Sequence, residues 1–421
     1  MINRSIILFL LFFSAMAAYA GGYRVSLQGG RALAMGHTGV GVIDNAEGAF
    51  FNPSSLVHLK NRLEIAAGVS VVYSKIQWQN QGTGQSERTH NAPSTPLYIY
   101  SNYHINDQFS VGLSVFTPYG SVVEYTTDWP GSHLVNKIDL SAFYIQPHVA
   151  YRINEKLSVA AGPIIAIGSV EFNRNLSRTM TDIDGNRSNV TIDASGVVKL
   201  GWHLSATYVP MEGLTVGATY RSEMIMDPTD GDAKFRNLPN SPITNFKDTK
   251  ISAELPLPAE LLVGVAYEFD KWTLAFDYNH AFWDVYKSLD IYFEDESIPD
   301  SKNLRNYKNS SSYRFGAQYQ LNEKIALRAG YYFDQTPVQS GYFAPETPRG
   351  DSHNFTIGGG YNFSSNFRVD VAFMYIHFKE INESYDHYSE AGIVEGGAKV
   401  PFGGDWKTSG LVPSIGLTYR M

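Results

Sequence analysis

The chain of 421 residues contains no cysteine. A disulfide scaffold, thiolate catalysis and thiolate metal binding are excluded, and so is a lipoprotein anchor, which needs a Cys at its cleavage site. Charge is scarce too: 18% of residues are Asp, Glu, Lys or Arg, the balance is −8, and no basic patch for nucleic acid is present. Apart from one run near the N-terminus, Ile6 to Phe13, there is no long apolar stretch, which removes a bundle of membrane helices. The histidines are scattered without HExxH or other ligand spacing, and no G-x-S-x-G elbow occurs. No metal site, cofactor site or enzyme signature is left to read.

What is present is aromatic and glycine-rich: 27 Tyr, 24 Phe, 6 Trp and 37 Gly. Residues 1–20 order one basic residue, Arg4, then the apolar run, then Ala18-Tyr19-Ala20, the layout of a secretory signal peptide cleaved after Ala20. Loss of Arg4 takes the mature chain from −8 to −9. Export, aromatics and short alternating segments together suggest an all-β outer-membrane barrel of a Gram-negative bacterium.

The alternation has period two. Leu63, Ile65, Ala67, Val69, Val71 and Tyr73 are separated by Glu64, Gly68 and Ser70, and Trp272, Leu274, Phe276 and Tyr278 by Thr273, Ala275 and Asp277. Successive strand side chains point to opposite faces, here one to lipid and one to the lumen. Six tight connections are expected, at Asn106-Asp107, Asn154-Glu155, Met211-Glu212-Gly213, Asp270-Lys271, Asn322-Glu323 and Ser364-Ser365. Long polar connections separate them, the short ones facing the periplasm. With both chain ends on that side, six turns imply about 14 antiparallel transmembrane strands, starting near 62, 95, 107, 139, 156, 190, 212, 249, 271, 308, 324, 351, 366 and 405. The barrel occupies residues 61–421.

Residues 21–60 do not fit the wall. They are too polar to span a bilayer and too short to fold alone. Their glycines, Gly22, Gly29, Gly30, Gly36, Gly39, Gly41 and Gly48 among them, permit turns and close packing and cost roughly 1 kcal/mol each in a helix relative to Ala. We expect an N-terminal hatch, or plug, inside the lumen. Gly22 and Tyr23 are its leading gating residues, and Phe51, Asn52 and Pro53 its hinge to the wall. A static plug is equally compatible with the sequence, with Asn52-Pro53 a plain turn.

Five stretches stand out in order: Phe51-Asn52-Pro53; Thr117-Pro118-Tyr119-Gly120; Gln146-Pro147-His148-Val149-Ala150-Tyr151-Arg152; Leu257-Pro258; and Arg328-Ala329-Gly330-Tyr331. They resemble the outer-membrane long-chain fatty-acid and aromatic-hydrocarbon transporters of the FadL/TodX type, the first being similar to that family's Asn-Pro-Ala hatch motif. Their order runs over essentially the whole mature chain. Ser54 stands where the family usually has Ala, and Met421 where outer-membrane barrels commonly end in Phe. The resemblance implies a hatch-blocked barrel that captures apolar ligands outside and releases them sideways into the membrane.

Three sets of residues are candidates for those steps. Phe116, Pro118, Tyr119 and Gly120 mark a lateral opening, because Pro118 cannot donate to the ladder and Gly120 brings no side chain; the other reading is a strand that simply ends at Pro118. Lys199, Arg221, Arg314 and Arg328 face the lumen by parity and could bind a carboxylate, although barrel interiors also pair such charges structurally. Leu134, Phe235 and Phe246, in long outer loops, could line an apolar capture groove or merely fold on one another. The expected ligand is a hydrophobic small molecule, a long-chain fatty acid or an aromatic hydrocarbon, taken up passively by a monomer embedded in outer-membrane lipid. No cofactor and no nucleic acid are expected. The alternatives are a general diffusion porin, whose first strand would follow the signal peptide directly, or a lipid hydrolase using a histidine such as His148 or His280.

Overall fold

Side chains that alternate between apolar and small or polar build a sheet with one greasy face, and a sheet closed on itself has no edge to leave unpaired in lipid. The computed structural model describes residues 22–389 and 399–421; the expected signal peptide lies outside the described residues. Fourteen antiparallel wall strands form the ring. They are β1 (Leu63–Ser70, continued by Tyr73–Gln79), β2 (Leu97–His104), β3 (Phe109–Glu124), β4 (Lys137–Arg152), β5 (Leu157–Asn175), β6 (Asn189–Met211) and β7 (Leu214–Arg221, resuming at Gly231–Arg236). Then follow β8 (Thr249–Ala253, resuming at Glu260–Phe269), β9 (Trp272–Ala281), β10 (Ser310–Gln320), β11 (Ile325–Asp334), β12 (Ser352–Asn362), β13 (Phe367–Phe378, continued by Ile381–Tyr385) and β14 (Phe402–Arg420).

Each strand pairs with its neighbour in sequence, and β1 closes the ring on β14, from Glu64 opposite Arg420 to Ser70 opposite Ser414. Leu63 and Met421 exchange both backbone bonds, at 3.0 and 2.8 Å. The short connections fall at the six expected places, with Gly213 (φ 79°) and Asp270 (φ 49°) taking the left-handed turn conformation. Outward residues such as Val263, Val265, Tyr267, Leu274 and Ile415 are exposed, as a lipid-facing band requires.

Two places depart from a continuous wall. In β3 the register against β4 shifts between Phe116 and Tyr119. Between β6 and the β7/β8 pair, Met224–Met226 and Leu255–Leu257 leave the wall and pair only with each other, as a two-stranded ribbon. Pro256 and Pro258 stand in and beside that ribbon, where their missing N–H groups cost no wall pairing. Pro163, by contrast, lies within β5 and interrupts pairing with β4 alone, between Ile145↔Ile165 and Val149↔Ala161.

Candidate functional site

Most of residues 22–59 are buried against the inward faces of strands all round the ring, with Val25, Ser26, Ile43, Asp44 and His58 half-buried. The segment holds only two short α-helices, α1 (Gly30–Ala34) and α2 (Gly48–Phe51), and a 3-10 turn, Pro53–His58. Most of its polar backbone must therefore bond to the wall. Asp277 accepts the Gly39 and Val40 amides at 2.7 and 3.0 Å, Thr356 Oγ1 accepts that of Gly36 at 2.8 Å, and Tyr98 Oη that of Gly30 at 2.7 Å. Glu47 accepts the Arg31 and Ala32 amides at 3.1 and 3.0 Å. The approach is close because the wall is bare there. A methyl built on Gly217, Gly264, Gly316, Gly330 or Gly358 would strike residues 34–40.

Charge fixes both ends. Arg24 donates to Glu260 at 3.1 Å, to Asp334 at 2.7 Å, to Ser312 at 2.6 Å and to Asn279. Asp44 meets Arg31 at 2.9 Å and Arg368 at 3.0 Å. Burial opposes the Asp44 charge, but Arg368 and Arg31 outweigh it and hold the carboxyl below the usual carboxylate range. At His37 burial, reinforced by Arg314, also lowers the pKa, which here favours the neutral form. Its Nε2 accepts the Gln28 amide at 3.1 Å, as a neutral imidazole does.

Asn52 and Pro53 sit where the segment meets β6. Asn52 Nδ2 donates to Val40 O at 2.9 Å and to Thr207 Oγ1 at 2.8 Å, and the Ser54 amide donates to Ser205 Oγ at 3.0 Å. Phe51 packs edge-on to His37 and Phe50, and Phe50 packs edge-on to Phe116 of β3. An aromatic chain thus joins the Asn52 end of the segment to the break in the wall.

At that break β3 loses its β2 neighbour. Backbone pairing with β2 stops at Tyr98↔Phe116, and the next backbone bond on that side is His90 N to Glu124 O at 2.8 Å. The vacant stretch is taken by the start of the segment: Val25 N donates to Pro118 O at 2.8 Å and Gly120 N to Tyr23 O at 3.0 Å. The sequence-picked Gly22, Tyr23, Phe116, Pro118, Tyr119 and Gly120 therefore converge. Tyr23 and Tyr119 meet edge to face, and their hydroxyls donate to Pro256 O and, at 3.2 Å, to Pro258 O.

Two cavities flank these tyrosines. One, about 250 Å³, lies at the gap and is bounded by Leu27, Val72, Pro96, Thr117, Gly120 and Arg349. The other, about 90 Å³, lies deeper and is lined almost wholly by apolar groups, including Ile138, Leu140, Val197, Met226 and Leu257. Both touch Tyr119, Ser121 and Leu140, so about one side chain separates them. Among the described residues, the full charges on the inner chamber are Arg305 and Glu346, which pair with each other.

The basic candidates lie elsewhere. Arg221 donates to Phe50 O, stacks over the Phe50 ring at 4.4 Å and faces Glu260 at 3.5 Å. Arg314 reaches His37 O at 3.4 Å, Arg328 pairs with Asp370 at 2.7 Å, and Lys199 pairs with Asp227. None of the four lines either cavity. Leu134 is buried in an aromatic cluster with Trp78, Trp129 and Trp406. Phe235, expected in an outer loop, lies instead in the resumed part of β7 opposite Val190 of β6, and it packs with the buried Phe246, rings 5.5 Å apart, around a separate void of about 30 Å³. Arg24, the Arg305–Glu346 pair and the inner ribbon were missed from the sequence, since only the fold brings their partners within reach.

The family model described as "Outer membrane protein transport protein (OMPP1/FadL/TodX)" matches residues 11–421. Outer membrane protein P1 of Haemophilus influenzae is 24% identical over 90% of this chain and 92% of its own length. The long-chain fatty acid transport protein of Escherichia coli K12 is 23% identical over 89% and 92%. Among solved structures, a Pseudomonas aeruginosa FadL homologue superposes with a TM-score of 0.80 at 19% identity, covering 95% of this chain and 100% of that one. The Ralstonia pickettii toluene transporter TbuX gives 0.67 at 19%, covering 93% and 98%.

Proposed function

The chain belongs to the OMPP1/FadL/TodX family of outer membrane transport proteins, and from that premise we propose that it takes up hydrophobic molecules passively through a hatch-gated lateral exit. Transport of hydrophobic substrates across the outer membrane is the family's work. The relatives' names, a long-chain fatty acid transport protein and a toluene transporter, support the substrate range proposed here, long-chain fatty acids or aromatic hydrocarbons. Apolar loop residues capture the ligand and the inner chamber holds it. Residues 22–27 then withdraw from β3, and the ligand leaves between Thr117 and Val123 into the bilayer. Its preference for hydrocarbon over water supplies the driving force, and no second subunit is required.

One observation carries this reading: the backbone bonds of Tyr23 and Val25 to Gly120 and Pro118. A short, glycine-flanked stretch stands in for a missing wall strand at the gap. Two backbone bonds, each contributing about 0.5–1.5 kcal/mol net, tie it to β3, and its withdrawal also has to release the Arg24 side chain from Glu260, Asp334, Ser312 and Asn279. Removing the stretch opens the chamber to lipid.

A cysteine-free chain makes the test direct. A Cβ on Gly120 would lie 3.7 Å from Val25 Cγ2, so Val25→Cys with Gly120→Cys can form a disulfide that holds the stretch in place. Cells carrying the oxidised pair should lose uptake of labelled oleate and of labelled toluene and regain it on reduction. Equal uptake of both ligands in the two states would overturn lateral exit at this gap.

A further inference from the structure

The geometry points to a second lateral portal, between β6 and β7, through which the acyl chains of the bilayer reach the inner chamber. On β6, pairing with β7 runs from Met211 up to His203 and resumes only at Asp193. Between Ala194 and Gly201 that edge has no strand beside it, because β7 has turned aside at Ser222 to form the Met224–Met226 ribbon.

The ribbon lies over the lumen face of the wall. Met224 packs on Gly201 of β6, and Met226 reaches past β6 to Gly168 of β5. Met224, Met226 and Leu257 are buried, while Ile225, on the opposite face of the ribbon, is 39% exposed. The gap stands at the height of the lipid-facing band. The outward residues of β6 beside it, Leu204, Trp202, Leu200 and Val198, are all exposed, and Leu200 at 74% is barer than Ile357 at 62%, which has a paired strand on each side. Above them the outward face turns polar at Asp193.

What lies behind the gap is the inner chamber, lined there by Ala194, Val197, Met226 and Leu255. An unpaired strand edge at hydrocarbon depth is costly unless protein or another group covers it. An alkyl chain from the bilayer has the chemistry to lie along Val197, Met226 and Leu255, and the unbranched, adaptable methionines suit a chain of variable shape. One partly exposed ion pair, Lys199 with Asp227, spans the break. A paired charge at such depth commonly marks a pathway, and here it ties β6 to the residue that follows the ribbon strand. The chamber thus has two faces toward lipid. Tyr23 and Tyr119 stand at the first, and through the carbonyls of Pro256 and Pro258 they also hold the ribbon that stands at the second.

What passes through the portal rests on the transport reading above; whether lipid reaches the chamber does not. The test therefore reads lipid contact. The barrel is reconstituted in phosphatidylcholine vesicles that carry a diazirine on the acyl chain, photolysed, and mapped for adducts. Adducts are expected on the chamber-facing Val197 and Met226. A disulfide between Gly201→Cys and Met224→Cys, whose Cβ and Cγ positions lie 3.0 Å apart, should abolish them and reduction should restore them. A second variant keeps the routes apart: oxidised Val25→Cys with Gly120→Cys should leave these adducts in place. Adducts confined to Val198 and Leu200 would overturn the portal. So would chamber adducts that vanish with the Val25–Gly120 disulfide and survive the Gly201–Met224 one.

Discussion

The inward face of Gly330 carries the backbone of Gly36: a methyl group built on Gly330 would fall on the Gly36 amide nitrogen. Gly330→Val should therefore push the segment off β11 while suiting the strand itself, since β-branched residues pack well on a pleated surface. Overpacking of this kind costs about 1–3 kcal/mol, enough to displace the segment without unfolding the ring. Single-channel conductance should rise while heat-modifiable migration on a gel stays that of a folded barrel. Conductance equal to the parent's would mean the segment has another place to sit.

Arg24 is the electrostatic anchor of the gap-closing stretch. Its removal leaves Asp334 without its ion-pair partner and Glu260 with Arg221 alone at 3.5 Å. Stripping one partner from a buried pair costs about 3–5 kcal/mol, and the loss falls on residues 22–27. In a Val25→Cys background, Arg24→Gln should speed alkylation of the cysteine by an impermeant maleimide many-fold. An unaltered rate would show that the backbone bonds to β3 suffice.

Gly120 is next. A side chain there meets Leu140 O at 3.2 Å and Val25 at 3.7 Å, so Gly120→Arg fills the mouth of the outer cavity. Uptake should fall for every hydrophobic ligand while surface expression holds. Full uptake would sink the proposed exit route.

Asn52→Ala strips the amide that bridges Val40 and Thr207 and leaves Val40 O short of a donor, at about 1–3 kcal/mol, while Thr207 Oγ1 keeps Ser54 Oγ. The effect should be local. Hydrogen exchange should quicken across residues 40–58 and remain slow in β6 below Ser205. Uniform exchange throughout would argue that Asn52 only shapes a turn.

How much of this could be read from the chain alone follows from range. The wall was legible because a period of two is local: Trp272 to Tyr278 announces a strand without reference to its partners. The turns were legible for the same reason, through Asn, Asp, Gly and Ser at six short connections. The inner ribbon was not. Met224-Ile225-Met226 alternates buried, exposed, buried as any wall strand does, and whether that alternation faces a neighbour or a void depends on residues some 30 positions away. The glycines of the wall were opaque too. Gly264, Gly316 and Gly330 read as weak points in strands, and their use, a bare surface under Val40, Met35 and Gly36, exists only once the segment lies across them. The cations show the same limit. Parity placed Arg221, Arg314 and Arg328 inward, but not that Phe50 O, His37 O and Asp370 would already occupy them.

The seam between Leu63 and Met421 sets an order on assembly. Its two strands are the ends of the ring, so the loop that must close is the longest the chain offers, and closure entropy makes such a contact late. The segment is tethered to the first of those strands and presses on glycines from the other side of the ring. A ring that zipped shut with the segment outside would have to reopen to admit it. The native barrel is therefore expected to be kinetically selected, by chains whose N-terminal residues collapse onto β8 to β12 before β1 finds β14. Delaying that collapse, as Gly330→Val does, should yield folded rings with an outside tail, cut by added protease ahead of residue 60 while the wall resists. If protease trims every such ring as little as it does the parent, the seam does not close last.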